Sequence, residues 1–317
     1  MLLLVVIRCK SITFPCSTIE VAEKAFRHCS KLREVTFNED LKEIGGDAFF
    51  RCNSLERITL PSSITEVANN AFEGCTQLRE VVFNEGLQTI GRSAFCGCTS
   101  LQGITLPSTI TEISNGAFYN CRNLGELVLN EGLQNIGRYA ICNCKSLESI
   151  SVPSTVAEIG DVAFRGCERL REVILHERIT TIEEDAFDGC GSLERFQFLT
   201  LTSRLSVLQA SHWTEINNKI DEICRVGVER RNHELFVPAA AMDGGSNWEN
   251  IRRILCNIER LIYYYEMKGA TALFELALWK WSLDQAGSNA TNRSEHRVEV
   301  PGPVKDTILE YFYSQSN

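Results

Sequence analysis

The sequence has no surplus of basic residues. Its formal net charge is −9, and domains that bind nucleic acid are usually basic. DNA and RNA are therefore not expected partners. No apolar run reaches the roughly 20 residues that a bilayer-crossing helix needs, so no transmembrane segment is expected. The signatures of common chemistries are also missing: there is no P-loop, no Gly-x-Gly-x-x-Gly, no Gly-x-Ser-x-Gly and no His-Glu-x-x-His. The five histidines (His28, His176, His212, His233 and His296) are scattered, which is poor material for a metal centre. Neither catalysis nor a bound cofactor is expected. Glu183-Glu184-Asp185 falls at a repeat turn and reads as solvated surface.

What the sequence does have is periodicity. Cysteine recurs every 23 residues, at Cys29, Cys52, Cys75, Cys98, Cys121, Cys144, Cys167 and Cys190. An Ala-Phe pair begins four residues before each, from Ala25-Phe26 to Ala186-Phe187, and only Ala140-Ile141 departs. Leucine follows each cysteine by three residues, from Leu32 to Leu193. Next comes an alternation such as Val35-Thr-Phe37 or Ile58-Thr-Leu60, the period-2 pattern of a half-buried strand. A second apolar pair closes the unit, as in Ile64/Val67 and Leu87/Ile90. A unit this short cannot bury its own apolar face. Stacked units can, each contacting only its neighbours. The pattern predicts an α/β repeat fold: a solenoid with a parallel β ladder along its length.

A second period lies on the first. Pro15, Pro61, Pro107 and Pro153 are 46 residues apart, and Asn38, Asn84, Asn130 and His176 hold the position in the intervening copies. The evolved unit is therefore a pair of turns. Gly86 and Gly132, in the Asn-Glu-Gly-Leu turns, suit a positive φ. Carried backwards, the period places Leu3, Val6, Ile12 and Phe14 in phase, so the apolar Met1–Ile7 stretch reads as a degenerate capping repeat rather than an export signal.

The Ala-Phe-x-x-Cys-x-x-Leu-x-x-Val/Ile unit resembles the BspA-like (Treponema-type) leucine-rich repeats of bacterial surface antigens and large protist families. The resemblance covers roughly residues 3–199. It implies a leucine-rich-repeat fold and a role in adhesion or interaction, and says little about the ligand. The C-terminal part is similar to the helical tails of leucine-rich-repeat proteins abundant in diatoms.

Fourteen cysteines leave three readings open: disulfides, metal ligation, or packing of a small hydrophobe. The spacing favours packing, because stacked identical positions point the same way and cross-link poorly. After Phe198 the apolar spacing turns helical: Leu201 to Ile223, Trp248 to Tyr265 and Leu273 to Trp281 predict helices. Residues 227–247 read as a polar connection, residues 284–297 as a polar linker, and Val304–Phe312 as a short final helix. The expected domains are a solenoid over 1–199 (a partial cap repeat and eight repeats), a helical cap or extension over 200–283, and a linker with a terminal helix over 284–317. The 201–224 helix is expected to pack on the last repeat, because solenoid ends need covering.

The candidate interaction surface is the solvent side of the strands. It comprises Arg33, Glu34, Arg57, Arg79, Glu80, Glu126, Arg171, Glu172 and Arg195. Alternating signs on neighbouring strands predict mutual ion pairing. The expected function is a monomeric, cytoplasmic, non-enzymatic scaffold for a protein partner. The alternative is a secreted or cell-surface adhesin.

Overall fold

The 23-residue spacing sets identical residues beside one another, and that is the register observed. Glu34 pairs with Arg57, and Arg57 with Glu80, in a parallel ladder. A computed structural model of the chain describes residues 9–198 except 177 and 184, the backbone of 229–231 and 234–238, and most of 251–266. Each unit is one turn of a parallel solenoid.

The turn has three sides. The first is a strand of three or four residues. Strands from Ser11–Thr13 to Glu126–Val128 form a six-stranded parallel sheet, and Ser149–Ser151, Glu172–Leu175 and Arg195–Phe198 continue the series. Ile12 pairs with Val35, so the period extends back at least to this strand, while Leu3, Val6 and the expected capping repeat over Met1–Ile7 lie outside the described residues. The second side is an eight-stranded sheet of two-residue strands, from Glu20–Val21 to Thr181–Ile182.

The third side is the Ala-Phe segment, which forms successive turns rather than a helix. It has its own ladder. The Phe49 N–H donates to the Ala71 carbonyl at 2.8 Å, Phe72 to Ala94 at 2.8 Å, and Phe95 to Ala117 at 2.9 Å. The residue before each alanine has a left-handed φ, as at Asp47 (56°), Asn70 (56°) and Ser93 (54°). That bend lets the backbone present its N–H groups along the solenoid axis, so they are satisfied between turns.

The core is a stack of columns. Phe26, Phe49, Phe72, Phe95 and Phe118 stack face to face at centroid distances of 5.2, 5.2, 5.3 and 5.7 Å. Ile141 interrupts the column, which resumes with Phe164 and Phe187 at 5.1 Å. Burying each such ring stabilises the fold by about 1.5–3 kcal/mol.

The cysteine column lies against it. Cys75 Sγ donates to the Phe49 carbonyl at 3.3 Å, Cys98 to Phe72 at 3.3 Å, and Cys121 to Phe95 at 3.2 Å. Each of these carbonyls also accepts the N–H of the cysteine in its own turn, as the Phe49 carbonyl does from the Cys52 N–H at 3.1 Å. Cysteine is thus a small hydrophobe carrying one donor that reaches the preceding turn. Burial pushes the Cys52 thiol up to about 12, and those of Cys75, Cys98 and Cys121 well above the usual thiol range.

The 46-residue period also has a physical cause. The Glu85 carboxylate accepts the Ser108 hydroxyl at 3.0 Å, Thr109 Oγ1 donates to the Leu87 carbonyl at 2.5 Å, and Gly86 N–H donates to Thr109 Oγ1 at 3.3 Å. The set recurs one pair later with Glu131, Ser154, Leu133, Thr155 and Gly132. On the other side, Asn84 Nδ2 donates to the Leu60 carbonyl at 2.5 Å, just before Pro61. Proline turns and asparagine turns are complementary neighbours. Gly86 and Gly132 have φ of +116° and +114°.

The C-terminal end corrects one expectation. Residues 227–247 are not simply a polar connection: Glu229–Arg231 and Glu234–Pro238 form an antiparallel pair, and Glu234–Pro238 pairs antiparallel with Arg195–Phe198. The last solenoid strand would otherwise present unpaired backbone groups, and an added strand satisfies them. The expected helix over 201–224 lies outside the described residues, as do those at 270–283 and 304–312. Within 251–266 every described residue is helical, and Ile251, Leu255, Ile258 and Ile262 are buried in the same core as the repeats.

Candidate functional site

The strand side is the surface that the repeat holds most regularly. In a pleated strand alternate residues face opposite ways. Val35, Ile58 and Val81 therefore point into the core, while their neighbours Glu34/Thr36, Arg57/Thr59 and Glu80/Val82 are exposed. The ladder places these exposed residues in straight columns.

Two shallow grooves run over this side. The larger, about 750 Å³, brings together Arg33, Glu34, Glu56, Arg57, Arg79 and Glu80 above a floor of Thr36 and Thr59. The second, about 460 Å³, is lined by Glu80, Val82, Gly103, Thr105 and Glu126. Glu80 belongs to both, so they adjoin there. Gly103 leaves the place between Glu80 and Glu126 without a side chain, which opens the second groove. From the Glu34 strand to the Glu126 strand is four ladder steps, roughly 19 Å at the usual strand spacing. That matches about six residues of extended chain.

Six of the nine expected surface residues line these grooves: Arg33, Glu34, Arg57, Arg79, Glu80 and Glu126. Arg171, Glu172 and Arg195 line neither, and lie further along the same side.

The expected ion pairing is only partly present. Arg57 pairs with Glu80 at 2.9 Å and Arg195 with Glu172 at 3.2 Å, both within one column. Among the described residues, Arg33, Glu56, Arg79, Glu148, Arg171 and Glu194 form no ion pair. Their column is joined through the backbone instead: Glu56 N–H donates to the Arg33 carbonyl at 3.0 Å, and Arg79 N–H to Glu56 at 2.9 Å. Alternating sign along a column does not force pairing, because an exposed pair gains little over two solvated charges. The consequence is chemical. Arg33 and Arg79 remain free to bind a carboxylate, and Glu34 and Glu56 to bind a cation.

Sequence reasoning passed over Gly103 as a feature of the groove. It also passed over a pair of exposed tyrosines, Tyr119 and Tyr139, on the turn side of the solenoid. Their only signal was the presence of aromatics at repeat positions held in most other copies by small or polar residues. Among the described residues, no group of three or more His, Cys, Asp or Glu could hold a metal ion, and no helix is long and apolar enough to cross a membrane.

Comparison with known proteins gives a family. The model of the BspA type leucine-rich-repeat region matches in six copies over residues 6–125 and 88–209. The match ends at residue 209, which leaves the expected likeness of the C-terminal part to diatom proteins unsupported. No curated protein matches the chain.

Among solved structures, a leucine-rich-repeat protein from Bacteroides ovatus is 25% identical, with a TM-score of 0.47 over 58% of this chain and 54% of its own. This chain thus spans about half of that protein. The Treponema pallidum leucine-rich-repeat protein is 30% identical, with a TM-score of 0.44 over 59% of this chain and 78% of its own. A leucine-rich cell surface protein from Faecalibacterium prausnitzii is 20% identical, with a TM-score of 0.30 over 65% of this chain and 81% of its own.

Proposed function

The chain belongs to the BspA type leucine-rich-repeat family, and from that premise we propose that it is a non-enzymatic scaffold holding an extended segment of a partner protein across its strand side. The observation that carries this reading is the pair of adjoining grooves that share Glu80. The ladder hydrogen bonds already occupy the backbone there, so recognition falls to side chains. Unpaired charges of both signs suit a partner segment of mixed charge. Complementary charges of this kind contribute more to choice of partner and to association rate than to affinity. The family is of a repeat-scaffold type, which agrees with a binding role. Nothing in the fold favours the expected cytoplasmic location over display at a cell surface, and the same groove would serve in either place.

The test compares proteins retained from the native source by the wild-type chain and by Arg33→Glu/Arg79→Glu. Partners lost on reversal of the groove charges, but kept by Lys42→Glu beside the sheet of two-residue strands, are the expected result. Equal retention by the groove variant would sink the assignment to this surface.

A further inference from the structure

One turn of the solenoid lacks a side chain where its neighbours have one. The residue before the recurring alanine is Asn70, Ser93, Gly116, Tyr139 and Val162 in successive turns, and all five have positive φ. Gly116 therefore leaves a notch between Ser93 and Tyr139. A Cβ there would meet Ser93 Oγ at 3.3 Å and Tyr119 Cβ at 3.8 Å, so the missing side chain is what opens the notch. The resulting cleft is about 390 Å³, and its remaining walls are Arg92, Asn115 and Tyr119. It lies away from the strand side and shares no residue with the grooves there.

Its chemistry is specific. The Tyr119 and Tyr139 rings are perpendicular, with centroids 6.3 Å apart, and are 36% and 38% exposed. Such a corner offers one flat aromatic face and a second wall at right angles. A planar ligand would be better held between parallel rings. A chair-shaped sugar ring instead presents C–H groups to an aromatic face and hydroxyls around its rim.

The corner is held in place. The Arg138 guanidinium sits 4.8 Å from the Tyr139 ring centre and is itself paired with Asp161 at 2.9 Å. Asn115 Oδ1 accepts the backbone N–H of Arg138 at 2.9 Å, which turns its Nδ2 donor away from that bond. Ser93 adds a hydroxyl. Arg92 has no ion pair among the described residues, and its guanidinium matches a carboxylate. We infer that the Tyr119–Tyr139 cleft binds a carboxylated pyranose, the acidic sugar residue of a glycan. The ring stacks on Tyr119, its hydroxyls bond to Ser93 and Asn115, and its carboxylate meets Arg92.

The cleft can be closed without altering the fold. Asn70 holds the equivalent position three-dimensionally at φ 56°, so asparagine is compatible with that backbone, and Gly116→Asn fills the notch. The full chain is titrated with trigalacturonate, with sialyllactose and with neutral maltotriose, and followed by saturation-transfer NMR and calorimetry. Saturable binding of at least one acidic glycan is expected, and which of the two binds identifies the source of the acidic sugar. Affinity should fall about tenfold in Arg92→Gln and in Tyr119→Ala, each losing roughly one favourable contact. It should be lost in Gly116→Asn and unchanged in Arg33→Glu/Arg79→Glu. The inference is overturned if neither acidic glycan binds at millimolar concentration. It is equally overturned if maltotriose binds as tightly, or if a folded Gly116→Asn binds like the wild type.

Discussion

Replacing Gly132 by alanine tests how closely successive turns fit. Gly132 has φ +114°, a region open essentially to glycine, and an added Cβ would lie 2.7 Å from the Ser108 carbonyl oxygen of the preceding turn. Strain at such a backbone conformation costs about 1–3 kcal/mol. The close contact is with backbone, so no side chain can rotate away. Relief requires moving the turn, which weakens the bond from Gly132 N–H to Thr155 Oγ1, now 3.1 Å. That loss adds about 1 kcal/mol, for a total of roughly 2–4 kcal/mol.

Gly103→Ala is the control, because its Cβ would find only Glu126 atoms at 3.8 Å and its backbone is an ordinary strand. Urea denaturation of the full chain, followed by circular dichroism, is the assay. The Gly132→Ala midpoint should fall clearly, and Gly103→Ala should stay within about 0.5 kcal/mol of wild type or rise slightly. If the two variants are equally stable, the complementarity of proline and asparagine turns does not carry the stability argued from it.

Three further outcomes follow from the columns. Phe72→Ala opens the stack between rings 5.2 and 5.3 Å away and should cost about 3–5 kcal/mol in the same denaturation assay. Arg57→Ala removes only an exposed pair and should cost less than about 1 kcal/mol, an effect that shrinks further in high salt. The buried cysteines make stability fall in alkali. Their folded-state pKa values are raised, Cys52 to about 12 against 9.0 for an unperturbed thiol. Their stabilisation is complete below pH 9 and is lost as the unfolded chain ionises between about 9 and 12. A urea midpoint that did not drop between pH 8 and pH 10.5 would contradict this.

The legible part of the molecule is the part that repeats. Spacing alone placed Val35, Ile58 and Val81 inside, Glu34, Arg57 and Glu80 outside, and Cys75 and Cys98 in a common column, because a 23-residue period dictates which residues become neighbours. It marked Asn84 and Pro61 as alternating turns, without indicating that Asn84 would bond to the Leu60 carbonyl beside the proline. It marked alternating charges on neighbouring strands, and could not tell that the Arg33 and Glu56 backbones would pair while their side chains stayed apart. The strand at Glu234–Pro238 was missed because Leu235, Phe236 and Val237 make too short a run to register against a Gly-containing, polar stretch.

The sequence by itself determined the solenoid, its register and the composition of every column. Stacking at a fixed period leaves no freedom in which residues adjoin. The tertiary structure decided what departures from the period do. Gly103 deepens a groove, Gly116 opens a cleft, and Tyr119 meets Tyr139 across it. An interruption has meaning only through the neighbours left around it. Those neighbours come from adjacent turns and from both ends of the repeat, so their distances and angles exist only once the chain is wound.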